Sequence, residues 1–219
     1  MRATRPFTLA LAGATLFFAA ACSSGEAGDS AAADEAEMAA EPVTSSASTQ
    51  MQELACFVRG DAEGRPSPLE EVEFTLSGDP ALLCYGAPSS RDREVMGALV
   101  PFDSPWRMGA NEATALHVSF PATIGGVAVE PGSYSLYAMP GESEWMIHVN
   151  QNAERWGIPV NDDVMAADVG TFTVPAASTE SMVETLTYSF EPHEEGMGHI
   201  VMEWENTRVE IPVHHAGAM

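Results

Sequence analysis

The stretch between residues 91 and 112 holds the side chains that are best equipped for chemistry. Arg107 follows Trp106, and Asn111 and Glu112 add an amide and a carboxylate just before a predicted strand. Guanidinium groups recognise carboxylates and phosphates through paired hydrogen bonds, and aromatic side chains line many small-molecule pockets. We therefore predict a pocket for a small polar or anionic ligand, lined by Tyr85, Arg91, Arg93, Trp106, Arg107, Asn111, Glu112 and Tyr137.

The same stretch allows two other interpretations. If Arg107 pairs with Glu112 or Asp92, the result is a buried hydrogen-bond network that fixes a long loop to the domain. Glu112 or Asp92 would instead be the general acid or base of an enzyme acting on an envelope saccharide or a similar polar substrate. The leading function is a non-enzymatic binding module for a small ligand or an envelope partner. The alternatives are such an enzyme and a purely structural protein.

A second group of residues invites a metal hypothesis near the C-terminus. His193, Met197 and His199 combine imidazole and thioether groups, which copper accepts. Their spacing matches no established metal signature, so we expect these side chains to be exposed turn residues and predict no metal centre. His-Glu-x-x-His, Cys-x-x-Cys and phosphate-loop motifs do not occur in the sequence, and no cofactor is predicted.

Charge limits the classes of partner. The 219 residues include 32 acidic and 9 basic side chains, for a formal charge of −23, and every basic residue is Arg. Such a surface repels phosphate backbones, so nucleic-acid binding is excluded. Hydrophobic residues make up 45% of the chain, which is enough for a folded core.

The N-terminus has the pattern of a lipoprotein signal. Arg2 and Arg5 precede an apolar run over 7–21, and three Ala residues lead into Cys22. The run is shorter than the roughly 20 residues that cross a bilayer. We predict a signal peptide over 1–21, lipidation of Cys22, and a disordered acidic tether over 22–52. Bacterial lipoproteins have similar signals, which implies a lipid-anchored protein of the cell envelope, on the periplasmic side or at the outer membrane. Plain secretion without lipid is the alternative.

Cysteine counting leaves one pair. With Cys22 lipidated, Cys56 and Cys84 remain in an oxidising compartment, which favours a disulfide that joins the first strand of the domain to the third. The alternative is that one thiol is a catalytic nucleophile, although no sequence feature places a His beside it.

From Leu54 onward the apolar residues recur with a period of two, and Gly and Pro interrupt the pattern at short intervals. This pattern predicts an all-β, antiparallel sandwich or jelly-roll-like domain over 53–215, with about ten short strands. The strands are predicted at 72–76, 81–85, 114–120, 127–129, 133–139, 145–149, 169–174, 182–190, 199–205 and 208–213. Short helical turns are expected near 91–99 and 162–167, and a frayed tail over 216–219.

Four strings resemble a bacterial envelope family known as domain of unknown function 2911. They are CYGAPSSRDREVMGALVPFDSPWRMGANEAT (84–114), TIGGVAVEPGSYSLYAMPGESEWMIHVNQ (123–151), QNAERWG (151–157) and EWENTRVEIPV (203–213). The resemblance covers most of residues 66–213. It implies a β-rich fold and an envelope location, and it implies no activity.

Overall fold

Residues 54–217 are described by a computed structural model, in which antiparallel strands and one short helix make up the regular structure. The predicted signal peptide, Cys22 with its predicted lipid, the whole of the predicted tether and the last two residues of the predicted tail lie outside the described residues. The elements are β1 (Leu69–Leu76), β2 (Asp79–Gly86), β3 (Ala110–Val118), β4 (Ala122–Ile124), β5 (Val127–Val129), β6 (Gly132–Pro140), β7 (Glu144–Asn150), α1 (Asp162–Met165), β8 (Asp168–Pro192) and β9 (Met197–His215). Among these residues, no helix has the length and apolar character to cross a membrane.

The strands form one nine-stranded sheet in the order β1-β2-β3-β6-β7-β8-β9-β4-β5. The first part of β8 pairs with β7, and its remainder, from Ala176, pairs with β9. The second half of the sheet folds over the first, so that Phe74 stacks on Phe190 with ring centroids 4.1 Å apart. The all-β prediction is confirmed.

Two predicted pairs of strands are single long strands. The segments predicted at 169–174 and 182–190 both belong to β8, and those at 199–205 and 208–213 both belong to β9. Each strand is continuous through its junction. In β8 the pairing with β9 shifts register between Ser178 and Val183 and again between Val183 and Thr187, and the strand bends there. In β9 the bend coincides with Glu205, whose φ is 56°. The sheet therefore has nine strands.

Of the two predicted helical turns, one is helical. Helix α1 occupies Asp162–Met165, and the Asn161 side chain caps it by accepting a hydrogen bond from the Val164 amide at 3.2 Å. The segment 91–99 consists of turns. Arg91 and Asp92 have φ values of 51° and 59°, which are incompatible with a right-handed helix.

The main core lies between the two halves of the sheet and includes most of the buried aromatic residues. Trp106 stacks on Trp204 at 6.1 Å and meets Trp145 edge-on at 5.6 Å. The predicted pocket residues Trp106 and Tyr85 belong to this core and are 8% and 5% exposed. Neither side chain can therefore line an open pocket.

A second, thinner layer covers the opposite face of β3, β6 and β7, and we call it the outer layer. It consists of the segment 54–67 and the loop 151–167. Along β6, Leu136 and Ala138 enter the main core, whereas Ser135 and Tyr137 point to the other face and are still fully buried. The loop is held down by hydrogen bonds such as that from the Ser135 hydroxyl to the Asn152 carbonyl, at 3.0 Å.

The Cys56–Cys84 disulfide is present and anchors the outer layer. Cys84 lies in β2, but Cys56 lies in an irregular segment that precedes β1. The prediction that the bond joins the first strand to the third is therefore wrong. It fastens the 54–67 segment to the second strand, and a bond between these cysteines removes the thiol that a nucleophile would need.

Candidate functional site

Glu112 is the centre of a network that attaches the outer layer to β3. Its Oε1 accepts a hydrogen bond from the Arg59 amide at 2.8 Å, and its Oε2 pairs with Arg65 Nη1 at 2.7 Å. The carboxylate is 5% exposed. Burial alone would raise the pKa of Glu112, but the hydrogen bonds from Arg65 and Arg59 hold that pKa below its ordinary value.

The sequence allows a pair between Arg107 and either Glu112 or Asp92, and neither pair is present among the described residues. Arg107 directs its Nε to the Gly109 carbonyl at 2.9 Å, whereas the partner of Glu112 is Arg65, 47 residues away in sequence. Burial lowers the pKa of Arg107. A Cβ on Gly157 would lie 2.3 Å from Arg107 Cδ, so the segments that contain Arg107 and Gly157 are in close contact.

Asn111 adds hydrogen bonds to the same network around Glu112 and Arg107. It has a φ of 62°, its Nδ2 donates to the Ser67 carbonyl at 2.9 Å, and its own carbonyl accepts the Gly157 amide at 2.8 Å. The Arg65 guanidinium lies 5.9 Å from the centre of the Trp156 ring. These contacts fit the interpretation of a network that fixes loops, because each polar group named here has a partner within the chain.

Arg91 and Arg93 contact a different part of the fold, where the turns after β2 meet β8. The Arg91 amide donates to Glu184 Oε1 at 2.8 Å, and the Arg93 side chain donates to the carbonyls of Ser89 and Ser90. Both arginines are exposed. The Ser90 hydroxyl and the Arg91 amide lower the pKa of Glu184. The structure thus does not place Arg91 and Arg93 in one pocket with Trp106 and Tyr137.

Tyr137 belongs to a buried polar cluster under the loop 151–167. The cluster consists of Tyr137, His148, Asn150, Arg155 and Asp168. Asp168 accepts hydrogen bonds from Tyr137 Oη at 2.6 Å, His148 Nδ1 at 2.9 Å and Asn150 Nδ2 at 2.7 Å. The rings of Tyr137 and His148 stack at 4.3 Å. A carboxylate with three donors is well satisfied and holds its neighbours in fixed positions.

Arg155 is the member of the buried polar cluster whose hydrogen bonding is incomplete. It is 7% exposed, and its Nη1 donates to the carbonyls of Trp156 and Gly157 at 3.2 and 3.0 Å. Its Nε and Nη2 are buried and have no hydrogen-bond partner within residues 54–217, and neither does His148 Nε2. Buried polar atoms of this kind normally bond to protein, water or ligand, so each of these three atoms has room in its hydrogen bonding for one more partner.

Electrostatics in the cluster follow from its burial. Burial raises the pKa of Tyr137, and the adjacent Asp168 carboxylate raises it further. Burial lowers the pKa of Arg155, while Tyr137 and Asp168 act in the opposite direction. At neutral pH the tyrosine keeps its proton and can donate only to Asp168, so the open donors of the cluster belong to Arg155.

Sequence reasoning identified Tyr137 and missed His148, Asn150, Arg155 and Asp168 as its neighbours. A signal existed: in an antiparallel hairpin the residues opposite each other share a face, and the turn at 140–144 places His148 directly across from Tyr137. The positions of Arg155 and Asp168 depend on how the loop 151–167 folds back, which no local pattern specifies.

The residues of the metal hypothesis lie at the turn between β8 and β9. His193 Nε2 and His199 Nδ1 are 3.0 Å apart, and His199 also contacts Glu210 Oε2 at 3.1 Å. Met197 donates its amide to the Glu194 carbonyl and is not part of this set. Within the described part of the chain, no group of three or more His, Cys, Asp or Glu side chains has an arrangement that could hold a metal ion.

The comparison with protein families agrees with the motifs. The family described as "Protein of unknown function (DUF2911)" matches residues 67–213. The chain therefore belongs to this family. No curated protein and no solved structure matches the chain.

Proposed function

We propose that this protein is a non-enzymatic binding module for a small polar or anionic ligand, held by the buried polar cluster. The observation that carries the proposal is that Nε and Nη2 of the buried Arg155 guanidinium have no hydrogen-bond partner among the described residues. A guanidinium removed from water needs acceptors, and carboxylate or phosphate oxygens supply them in the best geometry. Asp168 does not fill this role, because it makes no hydrogen bond to the guanidinium and accepts instead from Tyr137, His148 and Asn150.

The ligand that fits is small and rich in acceptor oxygens. Arg155 presents Nε and Nη2 on adjacent positions of one planar group, which matches the two oxygens of a carboxylate or phosphate. A hydroxyl on the same ligand would meet His148 Nε2, which has a lone pair when Nδ1 carries the proton toward Asp168. The site that we propose therefore lies in the outer layer and not in the 91–112 stretch, and it keeps Tyr137 from the predicted set.

The test is a binding measurement on the full chain with four probes: phosphate, acetate, glucuronate and glucose. Arg155→Lys keeps the charge and loses the planar pair of donors, and Arg93→Lys is the matched control on an exposed arginine outside the cluster. We expect at least one of the oxyanions to bind saturably, and Arg155→Lys to weaken it by about tenfold or more. Absence of saturable binding, or equal effects of the two substitutions, would contradict the proposal.

A second function, acid–base catalysis, is favoured by the contact between Asp168 and His148. A carboxylate on Nδ1 orients the imidazole and leaves Nε2 as a base, as in serine hydrolases. His148 would remove a proton from the substrate, and Arg155 would stabilise the resulting negative charge. Turnover of a nitrophenyl ester or glycoside by the full chain, abolished by His148→Gln, would favour catalysis over binding.

We also propose that a lipid on Cys22 anchors the protein in the cell envelope. The residue pattern before Cys22 supports this proposal. The purely structural function remains the outcome in which neither ligand binding nor turnover is found. Expression in a bacterium followed by intact-mass measurement tests the anchor: the mature chain should begin at Cys22 with added lipid mass, and Cys22→Ala should lose that mass.

A further inference from the structure

A separate pocket opens on the outer layer, at the other end of β6. Its volume is about 310 Å³. The residues that line it are Leu54, Ala55, Cys56, Phe57, His117, Ser133 and Glu154. The walls thus combine the apolar side chains of the N-terminal segment with three polar side chains from β3, β6 and the loop 151–167. The volume suits a molecule of about the size of an amino acid.

His117 gives this pocket an unsatisfied polar atom. The side chain lies in β3 directly across from Ser133 in β6, and its Nδ1 is 2.7 Å from the Ser133 hydroxyl. His117 is 6% exposed, and its Nε2 is buried without a hydrogen-bond partner among the described residues. Burial lowers the pKa of His117, although the nearby Glu154 opposes the change. The imidazole is therefore neutral at neutral pH and has one nitrogen that can accept a hydrogen bond.

Glu154 sets the sign of charge that the pocket prefers. It is exposed, lines the pocket, and makes no hydrogen bond or ion pair within residues 54–217. Among residues 54–217, no cationic side chain lines the pocket, and the chain as a whole carries a formal charge of −23. A free carboxylate beside a neutral imidazole attracts a cation and repels an anion.

We propose that this pocket binds a small organic amine. The ammonium group pairs with the Glu154 carboxylate and donates a hydrogen bond to His117 Nε2, while the hydrocarbon part of the ligand lies against Leu54 and Phe57. The Ser133 hydroxyl makes this arrangement consistent, because it can accept a hydrogen bond from Nδ1 and so fix the imidazole form whose Nε2 is an acceptor.

This site is distinct from the one under "Proposed function". The Arg155 guanidinium donates to the carbonyls of Trp156 and Gly157 and does not line this pocket, and Tyr137 is four residues from Ser133 along β6. The two sites also differ in the charge of the ligand they select. Failure of one therefore leaves the other standing.

The test is isothermal titration of the full chain with three molecules of similar shape: 2-phenylethylamine, 2-phenylethanol and 3-phenylpropionate. Glu154→Gln removes the charge without disturbing a contact within the described residues, and Glu142→Gln is the matched control at an exposed position beyond the other end of β6. In parallel, the imidazole ¹⁵N resonances are followed, with His117→Gln used to assign the His117 signals.

We expect 2-phenylethylamine to bind saturably and more tightly than the alcohol or the carboxylate. Glu154→Gln should weaken amine binding by about fivefold, as expected for one partly exposed ion pair, and Glu142→Gln should not change it. The Nε2 resonance of His117 should shift on binding. The proposal is overturned if the amine does not bind, if the carboxylate binds equally well, or if the two Glu→Gln variants behave alike.

Discussion

At the scale of single residues, the hydrogen-bond partners of a side chain determine its role more than its residue type does. Two arginines within the family motifs, Arg107 and Arg155, have comparable sequence surroundings but different uses. Arg107 is half-buried against Gly157, whereas Arg155 is almost fully buried and lacks partners on two of its nitrogens. Glu112, which the sequence offers as a general acid or base, is fully occupied by Arg59 and Arg65. A carboxylate held in this way stabilises the fold and is poorly suited to transfer protons.

Glu112→Gln should destabilise the domain by about 2 kcal/mol, because it leaves the half-buried Arg65 guanidinium without its counter-charge. The measurement is urea unfolding near neutral pH, with Glu73→Gln on the exposed side of β1 as control. The loss should be much larger for Glu112→Gln, and equal losses would show that the network does not hold the outer layer.

The same variant should change the pH dependence of stability. The pKa of Glu112 is lower in the folded chain than its ordinary value of 4.5. Its contribution is therefore complete above pH 4.5 and is lost as the pH falls through the lower, folded-state value. The wild type should lose unfolding free energy more steeply than Glu112→Gln over this acidic range. Parallel pH profiles would mean that Glu112 titrates normally in the folded state.

At the scale of elements, the sequence predicted where strands occur, but it did not predict that two pairs of them are single continuous strands. Alternation and Gly or Pro turns located β1, β2, β3, β6 and β7, because turn residues bound these apolar segments in the sequence. The bends inside β8 and β9 are backbone register shifts that have no composition signature. The outer layer was not predicted, since its attachment depends on long-range contacts such as Cys56–Cys84 and Arg65–Glu112.

The turn between β4 and β5 offers a sharp test of how the two halves of the sheet pack. Gly125 and Gly126 both have positive φ, 57° and 90°. A Cβ on Gly125 would lie 2.2 Å from the Phe172 ring, whereas a Cβ on Gly126 meets nothing within 4 Å. Both changes to Ala strain the backbone, and the first adds a steric clash. Gly125→Ala should therefore destabilise the domain by about 1–3 kcal/mol more than Gly126→Ala, measured by thermal unfolding. Equal effects would indicate that β5 does not pack against β8 as described.

At the scale of the whole molecule, charge governs both stability and partners. A formal charge of −23, with Arg as the only basic residue besides His, means that the folded chain repels itself. Local ion pairs, such as Arg208 with Glu191, Glu203 and Glu210, offset part of this repulsion on β8 and β9. The two proposed sites differ in how they fit this background. The net negative charge of the molecule attracts an amine, whereas an oxyanion must bind Arg155 despite repulsion from that charge.

Added salt should stabilise the protein at neutral pH. Raising the ionic strength from about 0.01 M to about 0.1 M shortens the screening length from about 30 Å to about 10 Å, which weakens repulsion across the molecule more than contacts at 3 Å. We expect the melting temperature to rise with salt at neutral pH and to change little at a pH near the isoelectric point of about 4.3. A melting temperature that falls with salt at neutral pH would show that local ion pairs outweigh the net repulsion.

The central claim is that the buried Arg155 guanidinium binds a ligand through Nε and Nη2, which have no partner among residues 54–217. Side-chain NMR of the arginines measures this binding directly. The full chain has nine arginines and no lysine, so the Nε–H region is simple, and Arg155→Lys assigns the signal. Titration with phosphate, acetate, glucuronate and glucose should shift the Arg155 Nε resonance saturably with at least one probe, and leave those of Arg91 and Arg93 in place. An Arg155 resonance that exchanges with water as fast as those of the exposed arginines and does not move with any probe would contradict the account.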